Sequence, residues 1–270
     1  MSPIRLVISD VDGTLVDKAK QLTPATADAV QRLREAGAGF TIISARPRSG
    51  MMPIADTLAI DAPMGAFNGG LIFRRDGWIG EHHVVDPVVA RGVFECLDGL
   101  TVDRWVFADD RWFSSTDQGV HVDHERIASD QEPEIRADFA DLLDRADKIT
   151  FVSDAPDVLA ELHRRINARF AGQATVAQSQ TYYLDITALA ANKGAGVVAL
   201  TAALGTDLQA TAAIGDQFND LPMIEQAGYG VAMGNAPDKV KAAADAVSTG
   251  NDQDGVAHAI DTFILPRIGA

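Results

Sequence analysis

An apolar run that stops abruptly on two carboxylates and a glycine constrains this chain more than any other stretch in it. Leu6-Val7-Ile8-Ser9-Asp10-Val11-Asp12-Gly13-Thr14-Leu15 follows directly on Ile4, and Ile4 to Ile8 is mostly apolar and β-branched. That is the composition of a strand buried on both faces, as in a parallel sheet. Side chains alternate along a strand, so Asp10 and Asp12 start on one side while Val11 turns back to the core. Gly13 can take the positive φ that a tight exit turn needs. Two unneutralised carboxylates this close repel, and each raises the other's pKa. Mg²⁺ removes that cost, because it prefers carboxylate and carbonyl oxygens. One aspartate is then free to act as a nucleophile. The bland alternative is a strand ending in a solvated Asp-Gly turn, and the rest of the chain decides between the two.

Thr23-Pro24 reads as an N-cap followed by proline at the first helical position. Ala27, Val30, Leu33 and Ala36 then repeat at helical spacing up to Gly37. Phe40–Ile43 is a second buried strand running into Ser44-Ala45-Arg46-Pro47; a helix from Met52 to Leu58 and a strand at Met64–Phe67 follow. Strand, helix, strand, helix, strand implies right-handed crossovers and a parallel sheet. After Asn68-Gly69-Gly70 the texture changes. Leu71–Phe73 and Trp78-Ile79 flank Asp76-Gly77 as a hairpin.

From about Pro87 to Asp185 the chain reads as a separate mixed region. Helices are expected near 88–97, 118–127, 135–143 and 158–170, and strands near 105–107, 111–115, 149–152, 175–177 and 182–186. Trp105, Phe107, Trp112 and Phe113 are expected to form that region's own core. The first pattern then resumes. Lys193 opens an alanine-rich helix, Ala210–Ile214 is a buried strand ending at Gly215-Asp216, and a helix starts near Asn219. Strand 230–233 and helices at 238–243 and 256–263 finish the chain. The simplest architecture is α/β: a parallel-sheet core from residues 1–84 and 187–270, interrupted by an inserted α+β domain at 85–186.

With 23 Lys and Arg against 38 Asp and Glu, the formal charge is −15. Such a surface repels nucleic acid and anionic lipid at long range. An anionic substrate would therefore need a locally positive site, built from a metal, a lysine and arginines. No apolar run approaches the ~20 residues of a membrane span. The single cysteine, Cys96, and a strand-like start by Ile4 lead to the expectation of a reducing cytoplasm without a signal peptide. The sequence leaves oligomeric state open.

In open α/β sheets, ligands sit beyond the carboxyl ends of the strands. Four segments bring polar residues to that edge: Asp10 with Asp12, Ser44 with Arg46, Lys193, and Asp216 with Asn219 and Asp220. Taken singly, each has a structural explanation: Ser44, Asn219 and Asp220 as helix caps, Arg46 and Lys193 as solvated cations. Together they point to one site. Ser44 offers a hydroxyl to a phosphate oxygen, Arg46 a bidentate clamp, and Lys193 charge for phosphate and nucleophile alike. His121 and His124 are expected on a solvated helix face, since a zinc site needs three or four ligands.

Asp10-x-Asp12-Gly13-Thr14, Ser44, Lys193 and Gly215-Asp216-x-x-Asn219-Asp220, in that order and with a large insertion between the second and third motifs, resemble the haloacid dehalogenase superfamily. Within it, the chain is similar to the Cof-type phosphatases with a class IIB cap. The resemblance implies a Rossmann-like core with an inserted cap domain, and a phosphatase acting on a small phosphorylated metabolite such as a sugar phosphate. It implies that Asp10 forms an aspartyl-phosphate and that Asp12 is the general acid and base. Mg²⁺ would be held by Asp10, the Asp12 backbone carbonyl and Asp216, with Asn219 and Asp220 orienting the site. Ser44 and Lys193 would hold the phosphoryl group, and Arg46, Asn68, Gly69 and Asn192 are candidate substrate-binding residues. Ala45 stands where the second motif commonly has glycine, and Gln217 where the family often has an acidic or small residue. A phosphomutase with the same nucleophile and a non-catalytic binding protein on the same scaffold are the alternatives.

Overall fold

The computed structural model describes residues 2–269. Its centre is a five-stranded, all-parallel sheet in the order Ala246–Val247, Tyr229–Ala232, Thr211–Gly215, Leu6–Ser9, Gly39–Ile42. Leu6–Ser9 lies in the middle and is buried at every position, as its unbroken apolar sequence requires. Its neighbour on one side is 205 residues away in sequence, with Leu6 in register with Thr211. The helix Pro24–Glu35 is capped by Thr23, whose side chain accepts from Thr26 N–H, and buries Ala29, Val30 and Leu33. The hairpin closed by Asp76-Gly77 joins Leu71–Phe73 to Ile79–His82, and Met64–Ala66 adds a third strand. An isolated bridge from Ile43 to Gly65 ties that small sheet to the edge of the central one.

A six-stranded sheet is built from residues 103–188 in the order Ala174–Gln180, Tyr183–Ala188, Ala146–Val152, Asp103–Ala108, Arg111–Ser114, Glu134–Ile135. All its pairs are antiparallel except the last. The helices Pro87–Glu95 and Pro156–Phe170 cover one face, packing Val89, Val93, Leu159 and Ile166 against Val106, Phe113 and Phe151. The fold is α/β, a Rossmann-like core carrying an inserted α+β domain. Among the described residues, no helix is long and apolar enough to cross a membrane.

Several local expectations are corrected. Trp105, Phe107 and Trp112 do not belong to the insert's own core. They cluster with Phe67 and Met51 of the parallel-sheet part, and the rings of Phe67 and Phe107 lie 6.0 Å apart. Alternation along the strand explains this: Val106 points into the insert, so Trp105 and Phe107 point out of it, onto the core. Of the four aromatics only Phe113 packs inside the insert.

The helix expected over 135–143 is absent. Glu134–Ile135 pairs with Phe113 and Ser114 instead, and the Asp138 side chain accepts from Ala140 N–H in a local turn that competes with helix. The helix expected from 118 begins at Val122. Nor do His121 and His124 share a solvated face. His121 stacks on Tyr182, their ring centroids 3.6 Å apart, and half-buried His124 faces the cavity described next.

Candidate active site

The central strand delivers Asp10 to the carboxyl edge of the sheet, its N–H donating to Ile214 O at 2.9 Å. The chain then reverses sharply, with the N–H groups of Thr14, Leu15 and Val16 all returning to Val11 O. Gly13 sits in this turn at φ +83°, and a Cβ there would stand 2.5 Å from Asp216 Oδ2. Backbone conformation and the neighbouring carboxylate therefore both require glycine.

Lys193 is the first residue of the helix Lys193–Ala203. Its Nζ donates to Asp10 Oδ1 and, at 2.5 Å, to Asp220 Oδ1. Asp220 Oδ2 accepts from the backbone N–H groups of Asp216 and Gln217, both at 2.8 Å, so both its oxygens are occupied. Asp216 Oδ1 accepts from the Thr14 hydroxyl at 2.9 Å. Oxygens of Asp10, Asp216 and Asp220 all lie within 4.8 Å of one another, and the three residues are buried.

One buried lysine thus faces three carboxylates. Burial lifts the Asp10 pKa to about 7 against the pull of Lys193. Burial, reinforced by the charges of Asp10 and Asp220, lifts Asp216 to about 8. Burial works against the Lys193 charge too, but its two carboxylate partners hold its pKa above the usual lysine value. The donor set fits Mg²⁺: three hard carboxylates carry uncompensated negative charge, Asp10 keeps one oxygen free of hydrogen bonds, and Asp216 Oδ2 accepts only long ones, from Asn235 Nδ2 at 3.2 Å and Gln217 Nε2 at 3.3 Å. Asn219 Oδ1 is buried beside them without a hydrogen-bond donor.

Asp12 goes elsewhere. Arg46 clamps it in a bidentate pair, Nε to Oδ2 at 2.7 Å and Nη2 to Oδ1 at 2.8 Å, and Lys20 Nζ donates to Oδ1 at 2.6 Å. Burial opposes its charge, yet Arg46 and Lys20 hold the carboxyl well below the usual carboxylate range. The Arg46 fork, expected to grip substrate, is spent on Asp12, and its Nη1 on Gly50 O at 3.0 Å. Ser44 is buried, its Oγ accepting from Arg46 N–H at 3.1 Å.

A single cavity is lined by Asp10, Asp12, Ser44, Arg46, Lys193 and Asn219. Three candidate substrate-binding residues do not line it. Asn192 is spent as a helix cap, its Oδ1 accepting from Ala195 N–H at 2.9 Å. Asn68, in the left-handed region at φ 59°, accepts from Asn219 Nδ2 at 3.1 Å. Gly69 packs on the helix, where a Cβ would come 2.6 Å from Gly196 Cα.

Sequence reasoning missed the far wall. His124, Glu125, Lys148, Gln180 and Tyr183 of the insert, with Lys20, line its other side. One signal was readable: Val122, Glu125 and Ala128 recur at helical spacing and are all buried, which puts a carboxylate on an apolar stripe. The positive lining that the −15 charge demanded is present in Lys20, Arg46, Lys148 and Lys193.

The family model described as haloacid dehalogenase-like hydrolase matches residues 7–260. An Arabidopsis thaliana protein named chloroplastic endoribonuclease YBEY is 30% identical over 267 residues, which cover 94% of this chain but 45% of that protein. The chain thus spans less than half the length of that relative, and that name describes a much longer protein. Pyridoxal phosphate phosphatase YbhA of Escherichia coli is 28% identical over 272 residues, covering 97% of this chain and 99% of the relative. A solved structure of a haloacid dehalogenase-like hydrolase from Bacteroides thetaiotaomicron matches with a TM-score of 0.84 at 28% identity, covering 96% and 98% of the two chains.

Proposed function

The chain belongs to the haloacid dehalogenase-like hydrolases of the Cof type and is a phosphoric monoester hydrolase; from that premise we propose that it releases phosphate from a small phosphorylated metabolite, a sugar phosphate, through an aspartyl-phosphate on Asp10. The observation that carries this reading is Lys193, buried and bonded to both Asp10 and Asp220, with Asp216 alongside. We assign residues 1–84 and 187–270 to the catalytic core and 85–186 to the cap.

Asp10 attacks phosphorus with the oxygen that Lys193 leaves free, and the bond from phosphorus to the leaving oxygen breaks. Lys193 and the Ser44 hydroxyl steady the charged oxygens of the moving group, where phosphoryl transfer needs positioning and neutralisation most. Asp10 and Asp216, with the Asp12 backbone carbonyl, would hold Mg²⁺, while Asn219 and Asp220 orient them. When bound, the ion supplies positive charge to phosphoryl oxygens.

Asp12 gives a proton to the leaving oxygen and later takes one from the water that hydrolyses the aspartyl-phosphate. The clamp by Arg46 and Lys20 favours its ionised form, which suits the second step. Protonating the leaving group requires one of these cations to let go, and an entering phosphate dianion competes for both.

Phosphate release from a panel of phosphorylated metabolites, with and without Mg²⁺, tests the reading. Asp10→Asn should abolish turnover without unfolding the protein. Full activity in that variant rejects the nucleophile, and an inactive parent across the panel rejects the phosphatase. A phosphomutase would return the phosphoryl group to sugar and release none.

A further inference from the structure

Lys148, on the strand Ala146–Val152 of the insert, is 5% exposed, and among the described residues it makes no salt bridge. A buried charge without an ion-pair partner is costly. Its ammonium lies 4.5 Å from the centre of the Phe107 ring and donates to Ala45 O at 3.1 Å, in the loop that carries Ser44 and Arg46. On either side of that carbonyl the backbone is tied to the parallel-sheet part. Ser44 N–H donates to Gly65 O at 2.9 Å, Asn68 N–H to Ser44 O at 2.7 Å, and Phe67 N–H to Arg46 O at 3.0 Å. Only the carbonyl between them is held from the insert, by a residue 103 positions away.

A peptide unit is planar and trans, so its C=O and N–H point in opposite directions. By holding Ala45 O, Lys148 therefore fixes the aim of the Arg46 N–H, which donates to Ser44 Oγ at 3.1 Å. A hydroxyl that accepts one hydrogen bond still has its own proton to give, and Ser44 lines the cavity that contains Asp10. We infer that Lys148 is a positioning residue for phosphoryl transfer: through the Ala45–Arg46 peptide it aims the Ser44 hydroxyl at the moving phosphoryl group. This rests on the phosphatase reading above, which gives Ser44 that group to hold, and adds to it a residue of the insert. Lys148 need not touch substrate to act in this way. A direct phosphate ligand would contribute independently of Ser44, whereas a residue acting through the peptide loses its effect once the Ser44 hydroxyl is gone.

The test is a double-mutant cycle on the full chain with Mg²⁺, measuring steady-state phosphate release from 4-nitrophenyl phosphate by the parent, Lys148→Met, Ser44→Ala and the pair combined. Lys148→Met should lower kcat/KM ~10–100-fold, the size of one hydrogen bond to a charged group, with kcat falling in step and KM little moved. In the Ser44→Ala background the same change should cost less than ~2-fold. Lys148→Arg, which keeps a cationic donor for Ala45 O, should stay within ~3-fold of the parent. Should Lys148→Met fail to fold, Lys148→Ala takes its place in the cycle, because it only enlarges the cavity that Lys148 lines. Equal losses with and without the Ser44 hydroxyl, or parental kinetics in Lys148→Met, overturn the positioning role. A parent inactive on every phosphomonoester, or a Ser44→Ala variant as fast as the parent, overturns the reading on which that role rests.

Discussion

Replacing Asp216 by asparagine removes one charge from a trio of buried carboxylates while nearly keeping the side chain's shape. An aspartate whose folded pKa is raised loses stability as pH climbs from the unfolded value to the folded one, because the unfolded chain gives up its proton first. For Asp216 that window opens at 3.8 and closes at about 8. At about 1.4 kcal/mol per pH unit, the penalty reaches at most about 6 kcal/mol at the top of the window, and Asp10, titrating with it, shares the burden. The substitution also risks turning an amide N–H₂ toward Asn235 Nδ2, which lies 3.2 Å from Asp216 Oδ2, a loss of about 1 kcal/mol.

The metal-free variant should therefore be more stable than the parent at pH 8 by about 1–3 kcal/mol, or roughly 3–8 °C in Tm. The assay is thermal melting in chelator at several pH values, repeated with Mg²⁺. The advantage should narrow steadily as pH falls from 8 to 5.5. Added Mg²⁺ should raise the Tm of the parent, because a ligand that binds only the folded state stabilises it, and should do little for the variant. A variant that melts at or below the parent in chelator at pH 8 refutes the claim that these carboxylates repel one another across an uncompensated site.

Two further substitutions probe the backbone around the site. Gly13→Ala forces a Cβ to within 2.5 Å of Asp216 Oδ2 from a positive φ; it should cost about 1–3 kcal/mol and weaken Mg²⁺-dependent stabilisation, read by melting with and without the ion. Gly50→Ala places a Cβ only 1.9 Å from Ala128 O, where the helix Arg48–Thr57 meets Val122–Ser129. It should hold the insert away from the core and lower kcat/KM at least ~10-fold on all substrates, while chemical denaturation still shows a folded protein. Unaltered kinetics would mean that this close approach is unimportant for turnover.

Much of the candidate site's sheet edge was legible because its signals are local. Asp10 follows a buried strand, Asp216 follows another, and Lys193 opens a capped helix, so each could be placed at the sheet's carboxyl end without knowing its partner. The far wall was not legible in the same way. Lys20 comes from a turn, Lys148 from a strand, and Tyr183 from the strand beside it, and nothing in their neighbours' spacing marks them as cavity residues. Arg46 was legible as a cation at the site but not as the partner of Asp12.

What the sequence determined alone was the alternation of apolar strands and helices, the acidic strand ends, and an insertion between them, since periodicity and turn chemistry act over a few residues. What only tertiary structure decided was which groups meet. The pairing of Leu6 with Thr211 brings Asp216 beside Asp10, and Trp105, Phe107 and Trp112 dock the insert onto Phe67, carrying Glu125, Lys148 and Tyr183 to the cavity. Those contacts join residues far apart along the chain, and their strength comes from buried area and shape, which no short stretch of sequence contains.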